Sequence, residues 1–318
     1  MNNDAPETLW LEMPVGLRDG GSADARMGVT VWSGAPSPTP GENAVPADGC
    51  AIIYFHGGGF LYGERDDLPA LYRELIADAG HALFCVDYPL APESSLEQIV
   101  NASLFALKQL VAHELPARGY TRYVLFGRSA GAALALLLAK RLRLDAPELP
   151  QPAAIWDFYG YHDLAAPFVS EPSRYYAAMP AVDEATVQGL LAPAGTALTS
   201  GPKPRRFALY IHARQTGRWK ELLGVMDGDE ATFLLSPNDI AALPPVFIAA
   251  STGDNDVPFR QSKQLSRMAP RARMHQVYDL EHDFDRDVRN PAGMQAYTEA
   301  LSFLSAICAE TDRPSATV

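Results

Sequence analysis

The sequence predicts an α/β fold: a mostly parallel central sheet flanked by helices, with a segment inserted between the sixth and seventh strands. Three observations predict it. Short, continuous apolar runs bounded by Gly and Pro alternate with helix-period segments, the pattern of strands buried on both faces. About 80 residues separate a run ending near Tyr161 from one starting at Pro245, far more than a strand–helix–strand crossover needs. Finally, Gly127-Arg128-Ser129-Ala130-Gly131 joins an apolar run to a segment rich in Ala and Leu, as a sharp strand-to-helix turn does.

Thr8–Glu12 and Arg26–Trp32 read as two opening strands, followed by a Pro-rich polar loop from about Gly34 to Gly49. The repeating apolar runs are Cys50–Phe55, Ala82–Val86, Tyr123–Phe126, Ala153–Phe158, Val246–Ala250 and Met274–Leu280. The helices between and after them are expected at Asp67–Ala79, Leu96–Glu114, Ala130–Leu144, Arg260–Met268 and Ala292–Glu310. Residues 162–243 read as a cap or lid over the C-terminal strand ends, where open α/β sheets bind ligands. Residues 1–161 and 244–318 would then form the core. The cap holds the turn signals Ser200-Gly201-Pro202 and Asp227-Gly228-Asp229. Most of its aromatics (Tyr175, Tyr176, Phe207, Tyr210, Trp219 and Phe233) are expected to pack a small core of the cap's own.

Hydrophobic content of 47% and charged content of 20% are ordinary for a globular chain. A net charge of −12 argues against nucleic acid and anionic membrane surfaces, and weakly against strongly anionic substrates. Cys50, Cys85 and Cys308 are odd in number and form no Cys-x-x-Cys, which disfavours a disulfide framework or a zinc site. The N-terminus has neither a basic nor an apolar region and no stretch is long enough to span a bilayer, so a cytoplasmic location is expected.

The Gly-x-Ser-x-Gly turn carries the chemistry. Between a buried strand and a helix it describes a nucleophile elbow, in which Ser129 presents its hydroxyl from a strained turn. Its two glycines are needed because a Cβ at either flank would clash where the chain doubles back. An acyl-transferring serine also requires a base, an orienting acid and an oxyanion hole. Of the seven histidines, His282 alone follows a late strand and precedes the last helix, in Leu280-Glu281-His282-Asp283-Phe284. Asp254 and Asp256 both follow the preceding strand; Asp254 is favoured as nearer its end, with Asp256 shaping the loop or capping the next helix. The glycine run of His56-Gly57-Gly58-Gly59-Phe60 lets backbone N–H groups approach a developing anion, and the N–H of Ala130 would be a further donor.

His56-Gly57-Gly58-Gly59-Phe60, Asp87-Tyr88-Pro89-Leu90-Ala91-Pro92-Glu93 and Gly127-Arg128-Ser129-Ala130-Gly131 together resemble the hormone-sensitive-lipase-like branch of the α/β-hydrolase carboxylesterases. The resemblance implies the α/β-hydrolase fold, a triad of Ser129, Asp254 and His282, and oxyanion donors at Gly58, Gly59 and Ala130. It implies structural roles for His56, Asp87 and Glu93. The chain departs from the family in having Arg128 where an acidic residue is usual and Ala132 where a further glycine is usual. It also departs in reading as strands at its N-terminus, where the family often builds part of the cap from helices.

The expected activity is hydrolysis of small-molecule carboxylic esters through an acyl-enzyme, without cofactor or metal. Lactone, thioester or amide cleavage, acyl transfer and a dehydratase-like use of the fold are the alternatives. A pure receptor, like the plant gibberellin receptors that resemble this family, would lack the histidine present here at His282. An ordinary histidine base predicts activity rising through roughly pH 6–7. Arg205, Arg206, Arg214 and Arg218 offer anion contacts on the cap but read more simply as a solvated basic face.

Overall fold

A computed structural model describes residues 6–16, 22–34, 49–226 and 232–311. Residues 35–48 of the Pro-rich loop and the expected turn at Asp227-Gly228-Asp229 lie outside the described residues.

One eight-stranded sheet organises the chain, in the order β1-β2-β4-β3-β5-β6-β7-β8. Its strands are β1 (Glu7–Gly16), β2 (Ser22–Trp32), β3 (Ala51–Phe55), β4 (Ala82–Val86), β5 (Tyr123–Arg128), β6 (Ala154–Phe158), β7 (Val246–Ser251) and β8 (Ala272–Val277). The β1–β2 and β2–β4 pairs are antiparallel; every pair from β4 to β8 is parallel. The fully buried runs β3 to β7 feed both faces, because alternate side chains point opposite ways. Ile53 and Phe55 join one apolar cluster while Ile52 and Tyr54 join the other.

Helices Leu96–Gln109, Ala130–Asp145 and Arg260–Met268 cover the first face, and Ala70–Asp78 and Pro291–Thr311 the second. Leu96–Gln109 starts where expected because Ser95 and Gln98 form a reciprocal cap: Gln98 N–H donates to Ser95 Oγ (3.3 Å) and Ser95 N–H to Gln98 Oε1 (2.8 Å). Its expected last turns widen into a π-helical turn at Leu110–Glu114. The helix expected from Asp67 begins only at Ala70, since Pro69 occupies its N-cap position and Asp67 accepts a hydrogen bond from Tyr54. No helix among the described residues is long and apolar enough to cross a membrane.

β8 ends earlier than the sequence predicts. Asp279 takes φ +55°, which turns the chain out of the sheet, and the Ser251 hydroxyl captures Leu280. Between β6 and β7 lie helices Pro167–Ser170, Arg174–Ala177, Glu184–Leu190, Lys203–Thr216, Trp219–Leu222 and Pro237–Ala241. Their buried aromatics do not form a core apart. Tyr176, Tyr210, Trp219 and Phe233 belong to the same apolar cluster as Phe55 and Leu134.

Candidate active site

The elbow is built as its glycines require. Ser129 follows β5 and opens the helix Ala130–Asp145, at φ +54° and ψ −119°. A non-glycine residue held there stores about 1–3 kcal/mol of strain. A Cβ on Gly127 would strike the carbonyl of Gly131, and one on Gly131 would strike the carbonyl oxygen of Phe55. Gly131→Ala is therefore expected to destabilise the fold by about 1–3 kcal/mol and to displace Ser129, because neither obstacle is a flexible side chain. A denaturant midpoint equal to that of the parent protein would contradict this. Ala132, where the family has glycine, is accommodated by Gly160: a Cβ there would come within 2.5 Å of the Ala132 methyl.

The structure brings Ser129, His282 and Asp254 together. His282 Nε2 lies 2.9 Å from Ser129 Oγ, and His282 Nδ1 lies 2.7 Å from Asp254 Oδ2. Asp254 Oδ1 accepts from the N–H groups of Asp256 and Val257, each at 2.8 Å, which fixes the carboxylate plane. Asp256 is engaged elsewhere. It accepts from the hydroxyls of Tyr176 (3.0 Å) and Tyr210 (2.9 Å) and sits 3.2 Å from Arg214 Nε.

Ser251 sets the distance between the two loops that carry Asp254 and His282. Its hydroxyl donates to Leu280 O (2.6 Å) and accepts from Leu280 N–H (3.0 Å) and Gly253 N–H (3.2 Å). Sequence reading passed over Ser251, since a strand-end serine carries no local signal of such a tie.

The glycine loop after β3 curls beside the elbow. Gly58 and Gly59 take φ +109° and +60°. A Cβ on Gly58 would strike Tyr62 O, and one on Gly59 the Tyr210 ring. The N–H groups of Gly58 and Gly59 donate to no backbone carbonyl among the described residues. Trp219 reaches down from the inserted helices and donates its indole N–H to Gly59 O (2.9 Å). His56 is wholly buried, stacks on Tyr88 at 4.1 Å between centroids, and places Nδ1 2.7 Å from Gly57 O. Burial pushes its imidazole down to about 4, so it is neutral near pH 7. Asp87 pairs with Arg65, and Glu93 receives both Nη groups of Arg206, at 3.0 and 2.8 Å. These contacts tie the segment after β4 to the loop that follows β3 and to the helix Lys203–Thr216.

Two charged groups differ from their sequence reading. Arg206 and Arg214 are buried rather than solvated, committed to Glu93 and Asp256. Arg218 is paired with Glu184 and Glu221, and Arg205 is exposed. Arg128 turns away from Ser129 into a buried network: Nη2 lies 3.1 Å from Asp285 Oδ1, and Nε donates to the Tyr159 hydroxyl (2.6 Å). Asp285 also accepts from Tyr159 (2.7 Å) and Tyr297 (2.9 Å). Burial opposes the charge of Arg128, but its acidic and phenolic neighbours, Asp285 foremost, outweigh that penalty and hold it charged. The Tyr159 ring then packs edge-on to His282 at 4.8 Å.

Burial opposes protonation of His282 as well, yet the Asp254 carboxylate and its hydrogen bond prevail, and the imidazole is pushed up to about 9. This upward direction departs from the ordinary histidine range expected from the sequence. Cavities of about 210 and 310 Å³ adjoin His282 and the glycine loop respectively. A roomier one, about 440 Å³, is lined by Val187, Leu191 and Leu222 and touches none of Ser129, Asp254 and His282.

A family model described as the alpha/beta hydrolase fold matches residues 52–285. Lipase 2 of Moraxella sp. (strain TA144) is 30% identical over 134 residues, covering 42% of this chain and 29% of the lipase. Ethyl acetate hydrolase of Pseudomonas putida is 36% identical over 107 residues, covering 32% of this chain and 33% of that enzyme. The chain thus spans about a third of the length of these curated relatives. The crystal structure of an alpha/beta hydrolase superfamily protein from Enterococcus faecalis superposes with a TM-score of 0.74 at 28% identity, over 92% of this chain and 98% of that one. With the match running from β3 to Asp285, the chain belongs to the alpha/beta hydrolase family, in the hormone-sensitive-lipase-like branch that its three motifs resemble.

Proposed function

We propose that the chain is a serine carboxylic-ester hydrolase with Ser129 as nucleophile, His282 as base and acid, and Asp254 as the orienting carboxylate. The observation that carries this reading is the continuous chain Ser129 Oγ–His282–Asp254, at 2.9 and 2.7 Å, beside a glycine loop whose Gly58 and Gly59 N–H groups donate to no backbone carbonyl among the described residues.

In this mechanism Ser129 Oγ gives its proton to His282 Nε2 and bonds to the ester carbonyl carbon. The carbonyl oxygen takes up negative charge and is held by the N–H groups of Gly58, Gly59 and Ala130. Each such donor is worth about 3–4 kcal/mol in the transition state. Ala130 begins a helix whose N-terminal dipole favours the same anion. His282 returns the proton to the leaving alkoxide as the C–O bond breaks. Water then gives a proton to His282 and its oxygen to the acyl carbon; collapse releases the acid and restores the Ser129 hydroxyl. Throughout, Nδ1–H stays donated to Asp254. No step calls for a metal or cofactor.

Residues 162–243 act in this reading as the cap over a core of residues 1–161 and 244–318. Trp219 and Tyr210 press on Gly59, and Tyr176 and Phe207 wall the cavity beside His282. Similarity to a lipase and to an ethyl acetate hydrolase supports the ester chemistry.

The test is a panel of p-nitrophenyl esters from acetyl to long acyl, run beside Ser129→Ala. Turnover that survives in Ser129→Ala, or none in the parent protein, would sink the reading. The pH profile gives a second test. Only neutral His282 can accept the serine proton, and a pKa raised to about 9 keeps it protonated at pH 7. The kcat/KM for a neutral ester is therefore expected to climb through about pH 9, above the ordinary histidine range. A profile already flat above pH 7 would count against the cause given, the Asp254 carboxylate.

A further inference from the structure

The two cavities flanking the site share one wall, and that wall carries a cation that forms no ion pair among the described residues. Tyr62, Lys203, Asp283 and Arg286 line both; the smaller cavity adds His282, and the larger adds Gly58 and Arg128. Lys203 thus stands between the base and the glycine loop. Its Nζ lies 4.5 Å from the centre of the Phe207 ring and 5.9 Å from that of Tyr62. It forms no ion pair among the described residues, and the other cations nearby are committed: Arg128 to Asp285, Arg206 to Glu93, Arg214 to Asp256 and Arg286 to Asp283.

The acids facing these cavities are committed too, or lie at their rims. Asp256 is held by Arg214 and two tyrosines, Asp67 by Tyr54 and Arg128, and Asp283 by Arg286. Glu64 and Glu281 are exposed. Burial, followed by the charge of Arg286, lowers the pKa of Lys203, while Asp283 and Asp256 only partly compensate. A half-buried ammonium among aromatic rings, short of a counter-ion, is a place where an incoming anion gains more than it would in water. The net charge of −12 does not oppose this, since charges farther away than about 8 Å are largely screened at physiological salt.

We propose that Lys203 is a specificity residue selecting esters that carry a carboxylate elsewhere in the molecule. Their apolar portion would lie against Tyr62 and Phe207. The inference rests on the ester-hydrolase reading and names the substrate class of the same site.

Two pairs of esters matched in size test it. On the acyl side, 4-nitrophenyl hemiglutarate is compared with 4-nitrophenyl valerate; on the alcohol side, 4-carboxyphenyl acetate with 4-carbamoylphenyl acetate. In at least one pair the parent protein is expected to favour the anionic ester in kcat/KM by tenfold or more. Lys203→Met should cut that ratio at least tenfold, whereas Lys203→Arg should retain it. Both esters are measured on one preparation, so partial unfolding cancels from the ratio.

No anionic preference in either pair, or a ratio unchanged by Lys203→Met, overturns the proposal while leaving ester hydrolysis standing. If no ester is turned over, the hydrolase reading fails, and glutarate binding to the parent protein decides the anion site. A Kd weakened tenfold by Lys203→Met supports it, and equal values overturn it.

Discussion

His282→Ala is expected to lower kcat/KM towards carboxylic esters by about 10⁴–10⁶-fold. Without the imidazole, the Ser129 hydroxyl has no acceptor 2.9 Å away, and the leaving alkoxide has no proton donor. What remains is binding and the oxyanion donors, worth about 10³–10⁴ over water. The sharper form of the prediction concerns additivity. If Ser129 and His282 act as one unit, Ser129→Ala combined with His282→Ala should be about as slow as either alone. Losses that multiply would mean the two residues contribute independently, and the proton relay would be wrong. Stability offers a control. His282 is partly exposed and packs edge-on to Tyr159, so its removal should leave a cooperative unfolding transition.

Arg128→Met is expected to destabilise the fold by about 3–5 kcal/mol, the usual consequence of leaving a buried charge without its partner. Both Arg128 and Asp285 are buried, and the pair is embedded among Tyr54, Tyr159 and Tyr297. Removing the guanidinium strands the Asp285 carboxylate in the apolar layer between the sheet and the helix Pro291–Thr311. Asp285→Asn in the same chain should recover part of the loss, giving a coupling of about 1–3 kcal/mol. Urea unfolding of the parent, both single variants and the double variant measures it. A single variant within about 1 kcal/mol of the parent would refute the pairing as a source of stability. Because Tyr159 touches both this network and His282, Arg128→Met should also slow ester turnover by displacing the imidazole.

The strands and the elbow were legible because their causes are local. β3 to β7 are apolar on both faces, and that pattern has few other uses. Gly127 faces Gly131 within the turn itself, so the pentapeptide in its strand–helix setting carried most of its own explanation; Gly131 also answers to the Phe55 carbonyl at the end of β3, a contact that no local pattern records. His282 and Asp254 could be picked out by their positions after late strands, which the fold class supplies. The end of β8 could not, because Ser251, far back in the chain, captures Leu280. Arg128 was legible only as a departure from the family. Its partner Asp285 is 157 residues away, and no spacing rule joins them.

The sequence by itself determined which residues could do acyl chemistry and the order in which the fold presents them. The tertiary structure decided the electrostatic state of those residues. It brought a carboxylate against His282 and pushed the imidazole up to about 9. It buried Arg206 and Arg214 in ion pairs, and it left Lys203, rather than the arginines singled out from the sequence, as the cation beside the cavities with no ion pair among the described residues. The physical reason is one of range. Turn and strand formation are governed by sterics over a few residues. Desolvation and charge pairing depend on which distant segments close over a group, and a linear pattern does not record that.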